Sequence, residues 1–171
     1  NTTGSINTTA TSANTAAGFS IISYTGNGAD GATIGHGLSQ APEIAIFKNR
    51  DEAESWTVFG YPTNPAFPYD GAFVYLNDDA DDYICYCWHS VDGYSKMGSY
   101  EGNGNADGTF VYTGFRPRYF LTKRIDTADD DWYQYDSKRS TYNTMDDFLK
   151  PNTNGAETVW GALSVDFLSN G

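Results

Sequence analysis

The feature that most constrains the fold of this chain is an internal repeat of about 75 residues. The hexapeptide SYTGNG at residues 23–28 returns as SYEGNG at 99–104, and each copy is followed by Asp-Gly, a proline, an apolar run, a lysine and a tryptophan. Self-similarity at a fixed period is typical of tandem structural units. We expect β repeat units at 18–93 and 94–171, preceded by a Thr/Ser/Asn-rich linker or extended arm at 1–17.

The composition favours strands over helices in both units. Aromatic residues make up 16% of the chain, and the 18 glycines supply many positions that can turn sharply. Aromatic side chains suit a half-buried pleated surface, and glycine readily adopts positive φ. The sequence therefore predicts an all-β fold of two tandem homologous antiparallel β-sandwich-like units.

The strand patterns run in the same order through the two units and predict a meander. The strongest is the hairpin of 43–48 with 54–59. A helical turn is expected only within 137–149. The remaining strand patterns of the first unit lie at 19–24, 33–38, 71–76 and 83–90, and those of the second unit at 94–100, 109–114, 118–123, 131–135, 158–163 and 164–168.

The charge of the chain argues against a nucleic-acid partner. Its formal net charge is −12, and phosphates would be repelled by such a surface. No apolar run is long enough to span a membrane, and no signal peptide pattern is present, so we expect no membrane insertion. The chain begins without Met and stops at Gly171 after a strand pattern. We therefore expect a segment of a longer protein.

The cysteines and histidines do not form a recognisable site in the sequence. Cys85 and Cys87 are one residue apart, on one face of a predicted strand, where a disulfide would be strained. We expect two free, buried thiols. His36 and His89 lack zinc-ligand spacing and a nucleophile partner, so we expect each to be a turn or core residue.

The glycine-rich turns have two interpretations. Asn103, Asn105 and Asp107 resemble part of a calcium loop, although calcium needs six or more oxygen ligands. The alternative is that Asn and Asp shape the turn through their own backbone contacts. The duplicated Gly-Asn-Gly is expected to turn the first hairpin of each unit, so that Gly26→Val or Gly102→Val would damage folding.

Exposed aromatic residues and cations are candidates for binding an extracellular glycan. Sugar rings stack on aromatic faces, while polar and charged neighbours bind the hydroxyl groups. Trp56 and Trp132 occupy equivalent repeat positions, for which core packing is the favoured interpretation. The candidate glycan-binding residues are Tyr61, Tyr69, Tyr133, Tyr135, Arg116 and Arg118.

The acidic clusters at 78–82 and 129–131 are expected to be solvated loop tips. Glycoside hydrolysis requires two carboxyl groups in different environments that face one cleft. The two clusters contain enough carboxylates for such a pair or for a metal site, but a charge run at a loop tip is usually solvated, so we expect no catalytic residue and no enzyme activity.

Six short motifs of this chain together point to a known family. They are SYTGNG at 23–28, GHGL at 35–38, FKNR at 47–50, YSKMGSY at 94–100, TGFRP at 113–117 and DFLSNG at 166–171. These motifs resemble a β-rich domain of virion-appendage proteins in tailed bacteriophages, mainly aquatic ones, and they occur in the same order over roughly residues 18–171. The resemblance implies a location in the virion, as an extracellular surface assembly, but no catalytic or ligand residues.

We therefore expect a phage virion structural module, of the tail fibre or another appendage, whose partners are copies of itself or other virion proteins. The alternative from another functional class is a non-catalytic carbohydrate-binding module that recognises a cell-surface glycan. A tailspike that degrades glycans is a third interpretation. A glycan array distinguishes the first two, since a purely structural module shows no saturable binding.

Overall fold

The chain is an all-β protein of antiparallel sheets in tandem units, as predicted. The computed structural model describes residues 2–60, 76–127 and 130–171. It divides into two compact units, Asn1–Ser99 and Tyr100–Gly171. Across these described ranges we find no helix with the length and apolar character needed to cross a membrane.

The first unit is a five-stranded antiparallel sheet. Its spatial order is β1-β2-β5-β3-β4, so the predicted meander is wrong: β5 lies between β2 and β3 and pairs with both. The sequence of β5 explains its central place, because apolar and aromatic residues alternate onto both of its faces. The strands are β1 Ala10–Asn14, β2 Phe19–Thr25, β3 Ile44–Asn49, β4 Thr57–Gly60 and β5 Asp82–Trp88.

The strands predicted at 33–38 and 71–76 have different outcomes. Residues 33–38 contribute only an isolated bridge, between Ile34 and Ile6. Of the predicted strand at 71–76, all but Leu76 lies outside the described residues. Part of the Thr-rich start forms β1, which pairs with β2 along its whole length.

One face of the sheet forms the core of the first unit. Buried and half-buried residues alternate along β2, β3 and β5, as the two-residue period of a strand requires. At the centre, Cys85 lies in register between Ile22 and Phe47. The other buried members of this cluster are Ile6, Tyr24, Ala32, Ala45, Leu76, Tyr83 and Cys87.

The opposite face of the same sheet carries a row of aromatic rings. Trp88 stacks on Phe19 at 5.0 Å between ring centroids and on Tyr86 at 6.2 Å. Tyr86 in turn contacts Trp56 at 6.3 Å. Trp56 is 54% exposed, so the expected core position for it is wrong. We call this face, with Ile44, Ile46 and Val58, the outer face.

The second unit is built on a two-stranded hairpin and a smaller strand pair. Its core contains Tyr135, Met145, Phe148 and Phe167. The helical turn predicted within 137–149 is wrong, because this segment consists of turns followed by a short strand. The elements are β6 Tyr119–Lys123, β7 Trp132–Asp136, β8 Asp147–Phe148, β9 Thr158–Val159 and a 3-10 helix at Gly161–Leu163.

The hairpin is the structural element that the two units share. A shift of 75 residues places β3 on β6, and a shift of 76 places β4 on β7. The pairing of Phe47 with Thr57 then becomes the observed pairing of Thr122 with Tyr133, in the same register. The repeat is thus conserved at the level of individual strand pairs.

The repeat is not conserved in the segments of the second copy that align with β2 and β5, the central strands of the first unit. Residues 94–100, aligned with β2, were expected to form a strand but make only the bridge between Val91 and Ser95. Gly98 stands where β2 has the fully buried Ile22, and a glycine offers no side chain to bury. Similarly, Gly161 stands where β5 has the buried Cys87, and the aligned segment breaks into β9 and the 3-10 helix.

Candidate binding sites

The predicted glycan platform is only partly described by the structure. Tyr61 and Tyr69 lie outside the described residues. Tyr135 is a core residue, 3% exposed, and its hydroxyl donates a hydrogen bond to the Leu163 carbonyl at 2.6 Å. Burial, followed by the charges of Tyr133 and Tyr100, raises the pKa of Tyr135 to about 12. Its ring is therefore not available for stacking on a sugar.

Tyr133 is half-buried and contacts a cation. The Lys150 ammonium lies 5.5 Å from the centroid of the Tyr133 ring and pairs with Asp131 at 2.7 Å. Arg116 and Arg118 are both exposed in the segment that leads into β6. These two arginines therefore remain accessible to an anionic or hydroxylated ligand.

The predicted calcium loop is closed by its own side chains. Asn103 Oδ1 accepts a hydrogen bond from the Asn105 backbone N–H at 3.0 Å, and Asn105 Oδ1 accepts one from Asp107 at 3.1 Å. Asn103 also donates to the Asp107 carbonyl at 2.9 Å. These contacts fix the turn, as Asn and Asp commonly do. Among the described residues, no three His, Cys, Asp or Glu side chains form a group that could hold a metal ion.

The first copy of the glycine motif is locked to another loop instead of forming a hairpin. The Asn27 backbone N–H donates to Asn77 Oδ1 at 2.9 Å, and the Asn77 amide donates back to Asn27 Oδ1 at 2.9 Å. Gly26 lies so close to this loop that an added Cβ would be 2.1 Å from the Asp78 carbonyl oxygen. The expected hairpin turn is wrong here, because β2 continues into this loop contact and pairs with β1 and β5.

The acidic cluster at 78–82 forms hydrogen bonds within the fold. Asp81 accepts from the Asn49 amide at 2.8 Å, and Asp82 accepts from the Thr25 hydroxyl at 2.7 Å. The Asp82 backbone N–H donates to Asp51 at 2.6 Å. These carboxylates therefore connect the loops at one end of the first sheet.

The two cysteines are free and buried, as predicted. Their Sγ atoms are 3.4 Å apart on the inner face of β5. The hydrogen bond with Cys87, together with burial, raises the pKa of the Cys85 thiol well above its usual range. The thiolate is the reactive form of cysteine, so the raised pKa and the burial both disfavour reaction at Cys85.

The two histidines lie near one another in the first unit, which their separation in sequence did not suggest. Burial, and then the neighbouring His89, lower the pKa of His36. His36 Nδ1 accepts a hydrogen bond from the Leu38 backbone N–H at 3.1 Å. His89 is only 4% exposed, and its Nδ1 lies 2.8 Å from the Ser90 carbonyl oxygen. Because a carbonyl only accepts, Nδ1 carries the proton.

His89 Nε2 is left as a buried acceptor with no hydrogen-bond partner among the described residues. His89 also lines a pocket of about 350 Å³ at the end of β5. The sequence analysis missed this site, because its residues come from three separate loops. We call it the His89 pocket, and its lining residues are Thr15, Ala16, Ser39, Gln40, His89, Ser90, Val91 and Asp92.

Comparison with known proteins identifies a family but no characterised relative. The family model described as "Domain of unknown function (DUF7483)" matches residues 1–78 and 61–171, which is in keeping with the internal repeat. No curated protein and no solved structure matches the chain.

Proposed function

The chain belongs to the DUF7483 family, and we propose that it is a structural module of a tailed-bacteriophage virion appendage, of the tail fibre type. In this proposal it is non-catalytic and assembles with copies of itself or with other virion proteins at the particle surface. The resemblance of its motifs to those of phage appendage proteins supports the location. The surfaces of the two units support the assembly.

The outer face of the first unit is the observation that carries the proposal. Sheets whose strands are apolar on both faces are normally covered on both, because each apolar face is stabilised by removal from water. The inner face is covered by Ile6, Ala32 and Leu76. On the outer face Trp56 remains 54% exposed and Val58 37% exposed. A second copy of the chain would bury them.

The second unit adds an open strand edge and further exposed aromatic residues. Within the described part of the chain, β6 pairs only with β7, whereas its counterpart β3 pairs on both sides. An unpaired edge can accept a strand from another chain. Phe110, Tyr112 and Tyr119 are each more than half exposed near this edge in sequence. Appendage fibres need such repeated contacts between chains.

The net charge of −12 limits the kinds of contact that can hold copies together. Identical acidic surfaces repel one another, so association must come from apolar burial and strand pairing. We therefore expect assembly to strengthen as salt screens the repulsion.

The assembly is tested by measuring molar mass in solution over a range of concentrations. We expect the native chain to form oligomers and the double variant W56K/V58K to be monomeric, because two charges on the outer face would be buried without partners. The matched control is Tyr142→Lys, at a position 84% exposed in the second unit, which should leave the oligomer intact. A native chain that stays monomeric at high concentration would refute assembly through this face.

The virion location requires a separate test. Antibodies raised against the chain should label the appendages of purified phage particles in immunogold electron microscopy. Labelling that is confined to infected-cell debris, with unlabelled particles, would contradict the proposal even if the chain self-associates.

A further inference from the structure

We propose that the His89 pocket is a binding site for a small neutral polyhydroxylated ligand, of the size of a single sugar residue. The pocket, at about 350 Å³, lies at the lower end of the range for small-molecule sites. None of its lining residues belongs to the outer face or to β6. It adds a recognition role to the proposed assembly role and does not depend on it.

The lining groups match the chemistry of a polyol better than that of an ion. Thr15, Ser39 and Ser90 supply hydroxyl groups, and Gln40 supplies an amide. Such groups both donate and accept, which is what adjacent sugar hydroxyls require. None of the lining residues is Lys or Arg, so an anion would find no opposite charge. Asp92 is the one carboxylate, and a hard cation needs several oxygen ligands.

His89 contributes to the pocket as a fixed wall. Its Nδ1–H donates to the Ser90 carbonyl at 2.8 Å, which holds the ring in one orientation. Its Nε2 is fully buried, so a ligand in the pocket would contact the hydroxyl and amide groups of the lining and not this nitrogen.

The walls of the pocket are held in place without a ligand. The His89 backbone N–H donates to the Gly18 carbonyl at 2.9 Å. Gly18 has a φ of +61°, and an added Cβ would lie 2.6 Å from the His89 carbonyl oxygen. The Ser90 hydroxyl oxygen accepts from the Met97 backbone N–H at 3.0 Å, which leaves its hydrogen free to donate. A pre-formed site binds with a smaller entropy cost.

The internal repeat supplies a natural comparison for this site. The tripeptide Ser-Val-Asp at 90–92 returns at 164–166, but Leu163 stands where the first copy has His89. The lining residues Thr15 and Ala16 also precede the repeat and have no second copy. The site therefore belongs to the first unit alone, and Asp166 is the matched counterpart of Asp92.

The test is an NMR titration of the ¹⁵N-labelled chain with methyl α-D-glucopyranoside, methyl β-D-galactopyranoside and glycerol. We expect saturable shifts of the amide signals of residues 89–92 with at least one glycoside.

Variants of exposed lining residues then locate the contact. Gln40→Ala and Asp92→Ala should each weaken binding about tenfold, equivalent to the loss of one good hydrogen bond, while Asp166→Ala should bind like the native chain. Absence of saturable shifts in the native chain, or binding that both lining variants leave unchanged, would overturn the proposal. Molar mass measured on the same samples keeps this result distinct from assembly, since none of these variants alters the outer face.

Discussion

The two copies of the glycine hexapeptide have nearly the same sequence and opposite surroundings. In the first copy, Gly26 is buried against the loop at 77–82, and Tyr24 is 3% exposed. In the second copy, Gly102 has open space around its α-carbon and Tyr100 is 49% exposed. The difference shows that the local sequence specifies the turn, whereas the neighbouring strands decide whether it becomes part of a core.

The largest effect is expected at Gly26 and Gly102, the first glycines of the two hexapeptides. Gly26→Val should lower the free energy of unfolding by about 3 kcal/mol or more, because the new side chain would clash with the Asp78 backbone. Gly102→Val should change it by less than about 0.5 kcal/mol. Chemical denaturation of both variants measures the difference. Equal damage would restore the expectation that both copies act alike.

The tyrosines next to these glycines should differ in the same direction by a smaller amount. The Tyr24 hydroxyl donates a buried hydrogen bond to the Leu76 carbonyl at 2.7 Å. Tyr24→Phe should therefore cost about 2 kcal/mol, since the carbonyl loses its partner, whereas Tyr100→Phe should be nearly neutral. Denaturant unfolding gives both values. A neutral Tyr24→Phe would mean that another donor replaces the lost hydroxyl.

Positive φ is a feature that both copies retain. Gly28 has a φ of +63° and Gly104 a φ of +68°. Alanine at either position should cost about 1 kcal/mol, because a Cβ disfavours this region of backbone space. Thermal unfolding of the two variants tests whether the two losses of stability are equal. A cost at Gly28 alone would indicate that the second turn relaxes to another conformation.

An acid-sensitive contact distinguishes the second unit from the first. Asp136 accepts hydrogen bonds from the backbone of Lys138 and Arg139 and pairs with the Arg139 guanidinium at 2.8 Å. Burial opposes ionisation, but these contacts outweigh it and lower the pKa of Asp136. The aligned residue in the first unit is Gly60, which has no carboxylate.

Because the folded-state pKa lies below the unfolded value of about 3.9, the contribution of Asp136 is present above pH 4 and is lost as the pH falls through the folded value. Asp136→Asn should make the second unit less stable at pH 7 and flatten its stability profile below pH 4. Hydrogen exchange resolved by unit measures both. An unchanged acid profile in the variant would assign the acid sensitivity to other carboxylates.

The sequence was sufficient for the parts of the fold that depend on local pattern. The repeat follows from the duplicated hexapeptide. The all-β class and the β3–β4 hairpin follow from period-two alternation and turn residues. The failure at 94–100 has a specific cause, because Gly98 and Lys96 stand where the first copy buries Ile22 and Ser20. Comparing the inward positions of the two copies, residue by residue, would have detected it.

The candidate site was less predictable because it depends on contacts between distant segments. Thr15, Gln40 and Asp92 are far apart in sequence and are polar residues of ordinary loop composition. Their convergence depends on β5 entering the sheet between β2 and β3, which the predicted meander does not include. The pocket was therefore not predicted because the strand order was wrong, although most of the strands around it were predicted.

The shared hairpin shows where this chain tolerates a change in length. Lys48 and Trp56 are separated by one residue fewer than Lys123 and Trp132, yet the strand register is the same in both hairpins. In the first, the Lys48 ammonium donates to the carbonyl of Asn49 at the end of β3 and to that of Glu52 in the connecting loop. In the second, the Lys123 ammonium donates to the carbonyl of Asp130, just before β7. The loop absorbed the extra residue, so this connection is where short peptide tags or new recognition sequences could be inserted while the strands keep their pairing.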